Sequence, residues 1–265
     1  MNDPGLFSDL GGIVLLLSLA ALRVSVAFLV LPLFTNEGIP ALIRNAMYLS
    51  LALISIVVQP TIEIGAWDTS MWIALFAKEA FIGVAIGIYF GLFLWAFEAA
   101  GVVIDMQVGA SFALFFDPIV GNEVTLIGAF LGRWANYVFI AAGGLLLLAG
   151  ALLESFAVWP LAEPVGSLRQ AAVMLFEAQL SDFMSLTIRI AGPIMAVIFC
   201  IDVAMGLINR YAQQFNVFFL SMSIKSMATI VVLIAVLPFL ADVLFGEIAA
   251  HSNTVEAWLA RVLVR

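Results

Sequence analysis

The sequence predicts an all-α, polytopic membrane protein: about six long hydrophobic helices, an irregular loop and a C-terminal amphipathic helix, all in one domain. Three observations predict it. Of 265 residues, 65% are hydrophobic and only 11% are charged, against roughly 25% charged in an ordinary soluble domain. The mean hydropathy is +1.18. The apolar runs are continuous over ~20 residues, the length of a helical span, and lack the ~10-residue alternation of a barrel strand. A soluble enzyme needs a polar skin that this composition cannot supply. Single Cys200 excludes an intramolecular disulfide framework, and with single His251 it offers no metal-ligand spacing, so no metal or cofactor is expected. The net charge is −8 and the 10 basic residues are scattered singly, which excludes a groove for nucleic acid.

The first expected span covers residues 11–34. Asp3 and Asp9 precede it without a positive stretch, so it reads as a retained anchor and not a signal peptide. The second covers 41–59, opened by Pro40 and closed by Pro60. The third covers 71–101, where Gly83, Gly87 and Gly91 form a small-residue stripe that admits a neighbouring backbone. Residues 104–122 (IDMQVGASFALFFDPIVGN) are neither span nor soluble loop. Asp105, Gln107, Gly109, Ser111, Asp117 and Pro118 interrupt them, and Asp117 precedes a proline, which biases it away from helix. Phe112, Phe115 and Phe116 are too apolar for free solution. Irregular backbone at membrane depth is tolerated only when buried in protein or lining a cavity. The segment reads either as a hydrophobic gate that excludes water or as a buried connector.

The fourth span covers 124–153. In the connection 154–182, Ser167 and Gln170 have capping-box spacing, and Leu168, Ala172, Leu175 and Phe176 share a face. A short amphipathic helix on the membrane or on a partner is expected there. The fifth span, 183–208, contains Pro193 and a second stripe of Gly192, Ala196, Cys200 and Ala204. Residues 209–225 read as a helical hairpin turn whose polar residues face a partner. The sixth span, 226–245, contains Pro238, and both internal prolines predict kinks. In the tail, Val255, Trp258, Leu259, Val262 and Leu263 recur at helical spacing opposite Glu256, Arg261 and Arg265.

Arg23, Lys78, Glu79, Glu98, Arg133, Arg189 and Asp202 lie in or at the edges of these apolar runs. Each charge at mid-membrane costs at least ~2.5–3.5 kcal/mol, so they must face partner helices, water or one another. Inter-helix salt bridges and a permeation path are both consistent with them. Asp202 and Arg210 fall on one side of a helix if it continues that far. Six spans place Arg169, Arg261 and Arg265 on one side and Arg44, Arg210 and Lys225 on the other, which leaves no positive-inside asymmetry. One functional reading is a secondary transporter with Arg133, Arg189 and Asp202 as an intramembrane site. It lacks the inverted pair of interrupted spans that such transporters often show. No GxxxxGK[ST] pattern is present, so ATP hydrolysis is not expected in this chain.

A second reading comes from a resemblance. The runs GVVIDMQVGAS from Gly101, FDP from Phe116, ESF from Glu154 followed by Pro160, GLINR from Gly206, QFNVF from Gln214 and IKS from Ile224 occur in order across much of the chain. With them the sequence resembles the T-type inner-membrane subunit of the type III secretion export apparatus, homologous to the flagellar export protein FliR. The spacing of Ile104, Asp105, Gln107 and Gly109, with Gly143 and Gly144, is more similar to the injectisome branch. Val108 stands where a basic residue is expected, and Gln213 where a proline is common. The resemblance implies a non-enzymatic subunit that forms an export gate with R-type and S-type subunits, alongside U-type and V-type proteins. It implies unfolded secreted protein as cargo, and a place in the bacterial inner membrane with the gate projecting toward the periplasm. It further implies an R-like part over 1–182, an S-like hairpin over 183–246 and an amphipathic tail over 247–265. The loop 104–122 would be a plug, and Arg133, Arg189, Asp202, Arg210 and Lys225 would be intramembrane or inter-subunit charges.

Overall fold

The computed structural model describes residues 4–33, 40–58, 68–109, 125–163, 170–211 and 217–263, and every regular element among them is helical. In order these are α1 (Pro4–Val30), α2 (Ala41–Val58), α3 (Thr69–Val108), α4 (Leu126–Ala141), α5 (Gly144–Val158), α6 (Gln170–Tyr211) and α7 (Val217–Leu263). The all-α, multi-pass expectation holds, and among the described residues four helices, or five spans with one bent pair, stand against the about six expected. Four helices are long and apolar enough to cross a membrane alone: α1, α3, α6 and α7. Helices α4 and α5 qualify only together, as a broken span. Gly143 breaks it, with φ +82 and no neighbour where a side chain would stand. Apolar helix α2 is shorter than a full span.

Local chemistry explains the helix ends. Pro40 accepts the amides of Ile43 and Arg44 at the start of α2. Asp68 opens α3: its carbonyl takes the amides of Met71 and Trp72, and its carboxylate takes the Ser70 hydroxyl at 2.9 Å. That hydroxyl, with the amides of Thr69 and Ser70, holds the Asp68 carboxyl below the ordinary carboxylate range. Gly109 ends α3 in the left-handed region at φ +95, its amide bonded to the carbonyls of Asp105 and Met106. Pro193 and Pro238 lie inside continuous helices. The short helix expected in 154–182 is no separate element, because residues from Gln170 onward are the first turns of α6. The amphipathic tail is likewise the last part of α7. Residues 170–191 hold no Gly or Pro, so helix propensity carries through the first junction; Gly246 stands at the second, and the ~1 kcal/mol that one glycine costs does not end α7 there.

The chain divides into two compact units. The first comprises Met1–Leu92, Gly143–Gln179 and Ala249–Arg265. Leu19, Val24 and Phe28 of α1, Ile82, Ile86 and Phe90 of α3, and Leu152 and Phe156 of α5 are almost wholly inaccessible there. The stripe on α3 faces α1 of the same chain. A Cβ on Gly83 would stand 2.6 Å from the Arg23 carbonyl oxygen, and one on Gly87 would stand 2.8 Å from that of Ala27. Gly91 is buried in the same helix. Lipid is as apolar as leucine, so this backbone approach, more than the hydrophobic effect, holds the two helices together. The ring of Phe28 stacks on Tyr48 of α2 at 5.2 Å.

The second unit comprises Phe93–Ala142 and Leu180–Ile248. Helices α3 and α4 meet through glycine on glycine: a Cβ on Gly101 would stand 2.5 Å from the Gly128 Cα. Phe93 packs on Phe139 at 5.7 Å and Phe97 on Trp134 at 6.0 Å. Ile190, Ile194 and Ile198 of α6 and Leu240 and Leu244 of α7 are buried. Among the described residues nothing packs against the stripe of Gly192, Ala196, Cys200 and Ala204: the last three are exposed, and nothing lies within 4 Å of a Cβ on Gly192.

Gly87→Leu should lower the stability of the purified chain in detergent by roughly 1–3 kcal/mol, because the obstruction is a backbone carbonyl. Thermal unfolding of the chain without partners measures it; an unchanged midpoint would contradict the α1–α3 seam.

Candidate functional site: two clusters of buried charge

In the first unit, Arg23 of α1 is completely buried and each of its three nitrogens donates a hydrogen bond. Its Nε and Nη2 donate to the two carboxylate oxygens of Glu79 on α3. Nη1 donates to the Ser155 Oγ at 3.0 Å, and Nη2 also to the Trp159 carbonyl at 2.9 Å. The guanidinium carbon lies 4.0 Å from the Phe156 ring centre. Lys78, one residue before Glu79, reaches Oε1 of that carboxylate at 2.9 Å. Its ammonium also donates to the carbonyls of Pro160 at 2.8 Å, Leu161 at 3.0 Å and Glu163 at 2.9 Å. Two cations therefore meet the carbonyl end of α5 and the turn after it, where the helix dipole is negative. One carboxylate joins them. Sequence reasoning placed Arg23, Lys78 and Glu79 as embedded charges but missed Ser155 and the carbonyl cradle. Only the ESF–Pro160 run touched that region, and a hydroxyl in an apolar helix was the signal available.

The second unit holds the start of the expected plug segment. Asp105 and Gln107 are in the last turns of α3 and not in a loop, and Gly109 is the helix terminator. No proline or glycine interrupts 102–108, so the helix continues past its apolar run. Ser111, Phe112, Phe115, Phe116, Asp117 and Pro118 lie outside the described residues. Both flanks of that segment are fastened. Asp105 Oδ2 accepts the amides of Ile127 at 2.9 Å and Gly128 at 3.1 Å, so a carboxylate on α3 caps α4. Thr125, the local cap residue, makes no side-chain capping bond. On the other flank, Lys225 of α7 donates to the Gln107 carbonyl at 3.1 Å and pairs with Asp202 of α6 at 2.9 Å. The Gln107 amide also donates to Asp202, at 3.3 Å.

The remaining expected charges are dispersed. Helix α6 does continue past Arg210, but Arg210 is exposed and Asp202 pairs with Lys225 instead. Arg133 and Arg189 are exposed and form no ion pair among the described residues. The Arg133–Arg189–Asp202 constellation required by a solute transporter is not assembled, because Asp202 is already neutralised. Among the described residues no group of His, Cys, Asp and Glu could hold a metal ion.

Apolar spans whose ionic groups are locked into helix-to-helix clasps define a multi-pass membrane protein built for packing. Residues 14–250 match the family described as bacterial export proteins, family 1, and the chain belongs to that family. It is similar to the Yop proteins translocation protein T of Yersinia pestis, with 31% identity over 208 residues, covering 77% of this chain and 78% of the relative. The secretion system apparatus protein SsaT of Salmonella typhimurium is 29% identical over 226 residues, 84% of this chain and 87% of its own. The flagellar biosynthetic protein FliR of Bacillus subtilis is 27% identical over 248 residues, 92% and 94% of the two chains.

Two substitutions test the clusters. Glu79→Leu leaves two buried cations facing each other and should cost about 3–5 kcal/mol, read by denaturation in detergent. Asp105→Asn should weaken the α4 cap by about 0.5–2 kcal/mol, with faster hydrogen exchange at the Ile127 and Gly128 amides.

Proposed function

We propose that this chain is the T-type subunit of a type III protein secretion export gate. With R-type and S-type subunits it forms the channel through which unfolded proteins cross the bacterial inner membrane, and U-type and V-type proteins adjoin it. The chain carries out no chemistry of its own; it builds the wall and the closure. The family match over residues 14–250 carries this reading.

The dimensions of α6 and α7 support it. Each contains a 36-residue apolar stretch, of which the most apolar window is only 28% buried. At about 1.5 Å per residue such a stretch is ~54 Å long, against a hydrocarbon core of ~30 Å. A tilt as large as ~40° still leaves ~41 Å along the membrane normal. Lipid cannot cover that excess, whereas neighbouring subunits in a gate that rises toward the periplasm can. We place the plug in the part of 104–122 that follows Gly109; the contacts of Gln107 on one flank, and of Ile127 and Gly128 on the other, support a segment held at fixed ends.

Affinity purification in mild detergent from secreting cells should recover the chain in a complex with R-type and S-type subunits. Recovery as a solitary chain overturns the reading. Deleting Phe112 to Phe116 should make the resting membrane conduct ions, since the water-excluding rings are gone. Conductance equal to that of the intact complex rules out the plug.

A further inference from the structure

Two ion clusters stand among the described residues, and they differ in what it costs to open them. Around Glu79 the paired side chains are 0% or 1% exposed, and Ser155 and four backbone carbonyls complete the cluster. Breaking one pair there strands a charge away from water. The cluster of Lys225, Asp202 and Gln107 is unlike it. The Lys225 side chain is 11% exposed and that of Asp202 34%. Water, or a polar group of a neighbouring chain, can take over from either partner, and a pair this accessible adds little stability. Its placement is specific all the same. The Lys225 ammonium sits on the Gln107 carbonyl at the C-terminal end of α3, where the helix dipole is negative.

The seat of α7 on this helix end is loose in two further respects. Met222 stands over Gly109: a Cβ there would meet the Met222 Cε at 2.9 Å, the tip of an unbranched, flexible side chain. Such a contact yields without breaking a packed core. Val217, Ser221, Lys225, Thr229 and Leu233 line the buried face of α7 about one turn apart. Ser221 is satisfied by the Phe218 carbonyl of its own helix. Thr229 is 1% exposed, and its Oγ1 has no hydrogen-bond partner among the described residues. An unanswered buried hydroxyl costs free energy, and any displacement of α7 that wets it removes that cost.

We infer that the Lys225 clasp is a latch: it holds α7 on the C-terminal turn of α3 in the resting protein and lets go during export. The inference rests on the export-gate reading and names the contact that opens within this subunit. At rest Asp202 neutralises Lys225, and Gln107 ties both to α3 through its carbonyl and its amide. On release the ammonium and the carboxylate are hydrated, and the end of α3 is no longer fixed to α6 and α7. The cluster around Glu79 stays shut throughout, because its charges have no water to turn to.

Two cysteines across the seat test it. A Cβ on Gly109 stands 3.5 Å from the Met222 Cγ, so Gly109→Cys with Met222→Cys brings two sulfurs within bonding reach. Cys200→Ser removes the only native thiol. In the assembled complex the oxidised form should secrete at least about tenfold less protein than the same complex after reduction. Unhindered secretion with the disulfide fully formed overturns the latch. Gly109 has a positive φ, so a second variant leaves it untouched. Lys225→Met should keep the complex intact and raise the ion conductance of the resting membrane several-fold, whereas Lys225→Arg, which retains the cation, should not. Conductance of Lys225→Met equal to that of the parent overturns the latch. Loss of the complex in Lys225→Met makes the contact purely structural and overturns it too. Failure of the parent chain to enter any complex overturns the export-gate reading instead.

Discussion

Ionic groups in helices this apolar are tolerable only when every polar atom is answered, and the first unit is organised around that requirement. Arg23 brings α1 to α3 through Glu79 and to α5 through Ser155 and the Trp159 carbonyl. Lys78 gathers the turn after α5 by its carbonyls. The hydrophobic effect does not choose among helices in a lipid-like surrounding, whereas a guanidinium with fixed donors does. The glycines at 83 and 87 are the steric counterpart: they let α1 come near enough to α3 for Arg23 to reach Glu79. Replacing one member of such a cluster costs more than the pair contributes, because the survivor stays buried.

The second unit uses charge differently. Asp105 substitutes for a missing local cap on α4, and Lys225 ties α7 to the end of α3 while Asp202 neutralises it. These contacts connect helices distant in sequence to the two flanks of residues 110–124. Charges on the outer surface, Arg133 and Arg189, form no ion pair among the described residues. Inward charges complete this protomer, and outward charges suit an assembly.

Much of the fold was legible because its signals are local. Continuous apolar runs marked α1, α3, α6 and α7, and Pro40 marked the start of α2. The start of the expected irregular loop was misplaced for a physical reason: Asp105 and Gln107 look like loop residues by polarity, yet nothing in their backbone chemistry ends a helix before Gly109. The break at Gly143 was concealed inside one apolar run, since hydropathy does not record φ. The two glycine stripes looked alike in sequence. One is filled by α1 of the same chain and the other meets nothing among the described residues, a distinction that depends on neighbours far along the chain.

The sequence by itself determined that this is an all-helical membrane protein, that its embedded charges need partners, and which export family its motifs resemble. The first two follow from composition and period within single helices, and the third from motif runs that occur in order along the chain. Only the tertiary structure decided who answers whom: Glu79 with both Arg23 and Lys78, Lys225 with Asp202, Asp105 with the α4 amides. Electrostatic pairing acts across a few ångströms of space and is indifferent to separation along the chain, so spacing along one helix could not reveal it.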